Sequence, residues 1–165
     1  MATPPLINGW TVLAHPCFLC QFKDFLADFE ESRQKYPNDY KKKIAYKLLR
    51  ALQKVAFADI PQNPTDPKYR QGDTLGKNYK SWFRAKFGDS RYRLFFRYNL
   101  EQKIIILAWV NDEDTLRTYG SKKDAYHVFS KMLDNGYPPN DWKNLFKNAK
   151  AEIDTFRDLI KKIEE

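Results

Sequence analysis

Trp82 to Val110 runs WFRAKFGDSRYRLFFRYNLEQKIIILAWV, three segments rich in aromatic and β-branched residues, separated by Gly88-Asp89-Ser90 and Asn99-Leu100-Glu101-Gln102. Turn residues at both breaks predict an antiparallel meander of three strands. In the first two, a period of two sends Arg84, Lys86, Arg91, Arg93 and Arg97 to one face. Phe83, Phe87, Tyr92, Leu94, Phe96 and Tyr98 go to the other. The third run, Lys103 to Val110, is apolar at nearly every position and suits a strand covered on both faces or at the centre of a sheet. Like charges within cross-strand reach destabilise a bare hairpin, so the basic face implies an anionic ligand lying on it. From Lys80 to Arg97 six cations meet Asp89 alone, which concentrates much of the chain's net +8 here.

Outward from this meander, 165 residues suit one domain, residues 1–165, with 137–165 as a C-terminal helical extension. An aromatic content of 16% argues for a packed core over a disordered basic tail, and the net charge favours nucleic acid over membrane as partner. MATPPLINGW lacks a basic start and an apolar stretch, so a cytoplasmic protein is expected. Cys17 and Cys20 form a C-x-x-C without the strand context of a redox motif or the further ligands of a zinc site; two thiols on a helix turn are the simpler reading.

Gly9 to Ala14 predicts a first strand. Phe18, Phe22, Phe25, Leu26 and Phe29 predict a helix over about 17–35, and Asn38 is placed to cap a second, with Ile44, Leu48, Leu52 and Val55 as its apolar face. Residues 61–81, with three prolines and two glycines, predict a long loop. Ser121 is expected to cap a helix through about Asp134, with Asp124 at its third position and Gly136 as its stop. A last helix carries Trp142, Phe146, Ala149, Ile153, Phe156, Ile160 and Ile163 in heptad steps, for packing on the core or for docking a partner.

Alternating cations beside aromatic rings suit RNA, because guanidinium groups grip phosphates and rings stack on bases. Cleavage by RNA's own 2′-hydroxyl requires that hydroxyl to be oriented, phosphoryl charge to be stabilised and two protons to be moved. Arginine suits the second task; Lys86, between Arg84 and Arg93, is the better proton carrier, its ammonium being disfavoured by like charge. Asn111-Asp112-Glu113-Asp114 reads as a solvated turn, and no metal-site or P-loop motif is present. His15 reads as a helix-entry residue, and His127 is expected to point about 100° away from Tyr126.

Asn8-Gly9-Trp10, Ala14 to Phe18, Lys86-Phe87-Gly88, Arg91 to Tyr98, Trp109 to Glu113, Thr115 to Gly120, Asp124-Ala125-Tyr126 and Val128 to Leu133 carry a resemblance to the YhaV toxins of the RelE superfamily, covering nearly all the chain up to Trp142. It implies an α+β, RelE-like fold: a small, mostly antiparallel sheet with two N-terminal helices packed on it and C-terminal helices. The implied activity is that of a metal-free, cofactor-free endoribonuclease, the toxin of a type II toxin-antitoxin system. Its implied catalytic residues are Arg84, Lys86, Arg93, Arg117 and Tyr126, with Lys86 and Tyr126 moving protons and the arginines holding phosphate. Lys80, Arg91 and Arg97 extend the RNA-binding surface. Implied partners are messenger RNA, free or on the ribosome, and an AbrB-like antitoxin of the PrlF type, with operator DNA reached only through the antitoxin complex. The competing expectation is a non-catalytic nucleic-acid-binding regulator, which needs only the charge.

Overall fold

A computed structural model describes residues 2–164. Its strands are β1 (Leu6–Ile7), β2 (Trp10–Ala14), β3 (Phe83–Phe87), β4 (Tyr92–Asn99) and β5 (Ile104–Val110). They form one sheet in the order β1-β2-β5-β4-β3. The expected meander is β3-β4-β5, antiparallel throughout, and β5 lies in the middle of the sheet. A correction concerns β2, which runs parallel to β5, Thr11 opposite Ile104 and Ala14 opposite Leu107. The sheet is therefore mixed. The cause is local: the 20-residue helix α1 (Pro16–Lys35) follows β2 at once and packs across β5, so it fixes the direction in which β2 enters.

Helix α2 (Ile44–Lys54) continues through a π turn, Val55–Asp59, into a short α3 (Ile60–Gln62); α4 (Ala125–Asp134), α5 (Trp142–Lys150) and α6 (Ile153–Glu164) follow the sheet. Two cores share the sheet. On one face Phe18, Phe22 and Phe25 of α1, Leu49 and Leu52 of α2 and Phe156 of α6 pack on Leu94, Phe96 and Leu107. On the other, Phe129 of α4 and Leu145 of α5 pack on Phe95, Ile106 and Trp109. Phe129 stacks on Phe95 at 4.4 Å between centroids, which fixes α4 over β4. A register shift between Phe95 and Phe96 leaves Ala108 unpaired, so that Ala108 and Trp109 both face α4.

Three expectations are corrected by packing. The apolar face of α2 is Leu49, Leu52, Val55 and Ala56, whereas Ile44 is 69% exposed. Asn38 caps nothing; a 3-10 turn, Tyr40–Lys42, intervenes and α2 begins after Lys43 with no side-chain cap. The heptad run is broken at Ala151 and Glu152 into α5 and α6. Both touch β2 but they join opposite cores, so this stripe packs on the chain's own sheet as the chain crosses its edge.

At the β3-β4 turn, Gly88, Asp89 and Ser90 all have positive φ, at 60°, 55° and 62°. Gly88 is sterically required there, since a Cβ would lie 2.7 Å from Tyr92 Cδ2 and 3.0 Å from Leu48 Cδ2.

Candidate active site

The β3-β4 ladder pairs Lys86 with Arg93 and Arg84 with Phe95, so Arg84, Lys86 and Arg93 do share the face turned toward α4. Tyr126, on the first turn of α4, meets them. Its hydroxyl oxygen accepts from Arg84 Nε at 2.9 Å and from Arg93 Nε at 3.0 Å. With two cationic donors on its oxygen, the phenol is oriented and its own O–H is left to donate. Arg117 closes a third side, its guanidinium carbon 4.6 Å from the Tyr126 ring centroid. Five residues expected from the sequence thus fall into two groups: Arg84, Arg93 and Arg117 gathered on Tyr126, and Lys86 exposed beside Arg93, lining a hollow of about 300 Å³.

The three arginines are held by identifiable bonds. Arg93, 5% exposed, donates from one terminal nitrogen to Ser90 O at 2.6 Å and to Tyr92 O at 3.1 Å. Arg84 donates to Lys68 O at 2.7 Å, so the long loop carries part of the site. Arg117 forms an ion pair with Asp124 at 2.7 Å, with both side chains nearly buried. Burial would lower the Arg117 pKa, but the Asp124 bond and charge, with Tyr119, outweigh it and raise the value, so the side chain remains a cation.

Asp124 and Asn111 are site residues that motif reading misplaced. Asp124 is itself the cap of α4: one carboxylate oxygen accepts from Tyr126 N at 3.0 Å, the other from Thr118 N at 2.6 Å and from Arg117. The expected cap, Ser121, lies in the preceding turn. The signal available was the aspartate immediately before an apolar helix. Asn111, expected in a solvated turn, is fully buried; it accepts from Arg93 N at 2.7 Å and donates to Thr115 O at 2.8 Å. Only Asp112 to Thr115 form the exposed turn, closed by a capping box.

A cleft of about 520 Å³ opens beside Tyr126 and Arg117, walled by Asp73 to Gly76 of the long loop and by Ser121 and Lys122. His127 lines it too, so the 100° step along α4 places His127 on the rim of the same cleft as Tyr126. Tyr119 is 85% exposed and stacks on Arg117, 3.8 Å from guanidinium carbon to ring centroid.

The remaining expected residues lie elsewhere. Arg91 is exposed in the hairpin turn, its carbonyl accepting from Arg117 N at 3.0 Å. Lys80 is exposed and paired with Asp73 at 3.3 Å. Arg97 is drawn away from the cradle: its guanidinium lies 5.3 Å from Trp82 and 5.8 Å from Trp142 and donates to Asn140 O. Cys17 is half-buried, and burial with the nearby Cys20 pushes its thiol up to about 12, far from a reactive thiolate.

Charge accounting defines what the arrangement can do. Among the described residues, Arg84, Lys86 and Arg93 form no ion pair, and Asp124 offsets Arg117 alone. Two uncompensated guanidinium groups, each fixed by hydrogen bonds, hold the phenol of Tyr126, and Lys86 adds a third free cation on the strand beside Arg93. Such an arrangement can hold an anion and offer it a hydrogen bond.

A family model described as a toxin with endonuclease activity, of toxin-antitoxin system, matches residues 12–150. The ribonuclease toxin YhaV of Escherichia coli strain K12 is 50% identical over 151 residues, covering 90% of this chain and 97% of that protein. The toxin YhaV of Escherichia coli O6:H1 strain CFT073 is 52% identical over 147 residues, covering 88% and 95%. No solved structure matches the chain. With the family match spanning most of the sequence and the site, the chain belongs to the YhaV family of toxins with endonuclease activity, one half of a toxin-antitoxin system.

Proposed function

We propose that the protein is an endoribonuclease that cuts messenger RNA without a metal ion or other cofactor. The reaction is attack of a 2′-hydroxyl on the adjacent phosphate. The 2′-oxygen bonds to phosphorus, the bond from phosphorus to the 5′-oxygen breaks, and the products are a 2′,3′-cyclic phosphate and a 5′-hydroxyl. Arg84, Arg93 and Arg117 bind and neutralise the phosphoryl oxygens. Tyr126, whose oxygen already accepts two hydrogen bonds, donates its proton to the leaving 5′-oxygen. Removal of the 2′-hydroxyl proton then falls to Lys86. Lys80, Arg91 and Arg97 contribute to the wider positive surface.

The carrying observation is the pair of bonds to Tyr126 from Arg84 and Arg93, which form no ion pair among the described residues. The family's endonuclease activity sets aside the purely non-catalytic regulator. The reading further assigns a single RelE-like domain working in the cytoplasm on messenger RNA, free or ribosome-bound. Its antitoxin is of the AbrB-like PrlF type, and operator DNA is reached through the complex. Incubating purified protein with messenger RNA in EDTA, with and without ribosomes, should give fragments with 5′-hydroxyl ends. An activity abolished by EDTA and restored by magnesium would overturn the mechanism, as would a Lys86→Ala variant whose loss of RNA affinity accounts for its whole loss of rate.

A further inference from the structure

A groove of about 580 Å³ lies between α1, α2 and the turn after β5, on the sheet face opposite Tyr126. Its charge is opposite to that of the molecule. Asp24, Asp28 and Glu31 of α1 and Asp112, Glu113 and Asp114 of the turn line it, with Lys35 the one cation among the lining residues. Among the described residues none of these six carboxylates forms an ion pair, although the chain is strongly basic. Burial, with the neighbouring charges of Asp24 and Glu31, raises the pKa of Asp28, so the row is electrostatically unfavourable as it stands. The groove floor is apolar, formed by Phe25, Leu48 and Tyr92. At its rim Ile44 is 69% exposed and Tyr36 is 36% exposed. An isoleucine on the outer face of a helix, above an apolar floor and beside unpaired carboxylates, is the pattern of an interface core with a charged rim.

RNA is a poor occupant, because its phosphates would face the six carboxylates. We infer that this groove is the anchoring site for the cognate antitoxin, through a lysine- and arginine-bearing amphipathic segment whose apolar side covers Ile44, Leu48 and Phe25. This rests on the family's place in a toxin-antitoxin system and is independent of the cleavage mechanism proposed above. The anchor sits away from the phosphate cradle, so affinity and inhibition are separable: one segment of the antitoxin holds the groove, and the rest of it reaches the catalytic face. Complementary charge also speeds encounter, which suits an inhibitor that must capture a toxin before RNA does.

The test is titration of the purified full-length toxin with its antitoxin by calorimetry, comparing wild type with Asp28→Lys/Glu31→Lys and, separately, with Ile44→Ser. All the changed positions are exposed, and thermal melts of each variant check the fold. Each variant should weaken antitoxin binding at least tenfold, the charge reversal should flatten the salt dependence of Kd, and RNA cleavage by free toxin should be unchanged. Wild-type antitoxin affinity in both variants would overturn the inference. So would affinity retained for antitoxin but lost for ribosomes, which would give the groove to a basic ribosomal surface. Failure of the wild-type toxin to cleave RNA in EDTA would count against the mechanism alone and leave the groove to be judged by the titration.

Discussion

Tyr126 and Tyr119 separate two uses of an aromatic residue a few ångströms apart. Tyr126 is buried with its hydroxyl fixed by Arg84 and Arg93, which suits proton transfer; Tyr119 is solvent-facing and backed by Arg117, which suits stacking on a base. Tyr126→Phe keeps the ring under Arg117 and removes only the O–H. It should lower the single-turnover cleavage rate by on the order of 10²–10⁴ while RNA affinity changes only a few fold. Tyr119→Ala should do the reverse: stacking contributes roughly 1–3 kcal/mol per base, so Kd should rise about 5- to 100-fold with the saturated rate preserved. Both are read from single-turnover kinetics over a range of enzyme concentrations. Equal rate losses in the two variants would remove the distinction between them.

The turn that holds the site and the long helix on the opposite face of the sheet each depend on one residue. The β3-β4 turn holds Ser90, whose carbonyl accepts from Arg93, and it closes only with glycine at position 88. Gly88→Ala should cost roughly 1–3 kcal/mol, seen as a melting temperature lower by several degrees, and cleavage should fall with it because Arg93 loses its fixed position. Helix α1 depends on His15, fully buried, whose Nδ1 accepts from Cys17 N at 3.1 Å and whose Nε2 then donates to Asn148 Oδ1 at 3.1 Å. Burial lowers the His15 pKa, against the Asn148 bond and the Glu152 charge, which act to raise it. The unfolded chain therefore takes up a proton near pH 6.5 that the folded chain refuses. This contribution is complete above that pH and is lost as pH falls below it. His15→Asn keeps a capping oxygen without a titrating proton. Chemical denaturation at pH 7.5 and 5.5 should show wild type losing more stability on acidification than the variant; equal losses would refute the linkage.

At the scale of the whole molecule the charge is divided: a basic face on the α4 side of the sheet and an acidic groove on the α1 side. If binding uses the cations of the cradle, log Kd for RNA against log salt should have a slope of about 2 to 3, from roughly 0.7 per phosphate neutralised across about four cations. Salt titration of RNA binding checks this, and a slope near zero would mean that the basic face does not carry the affinity. Much of this was legible in the chain: period-two alternation gave the shared face of Arg84, Lys86 and Arg93, apolar runs gave α1 and β5, and the tyrosine and Arg117 followed from the resemblance. The periodic readings match the fold because strand and helix periods are set by local backbone geometry. The tertiary structure alone decided the parallel β2-β5 pairing, the inward turn of Leu49 that leaves Ile44 in solvent, the break that sends α5 and α6 to opposite cores, the removal of Arg97 to Trp82 and Trp142, and the joint grip of Asp124 on Arg117 and α4. Each of these depends on which distant surface a segment meets, and that is fixed by burial and hydrogen-bond satisfaction across the folded chain, which no local period encodes.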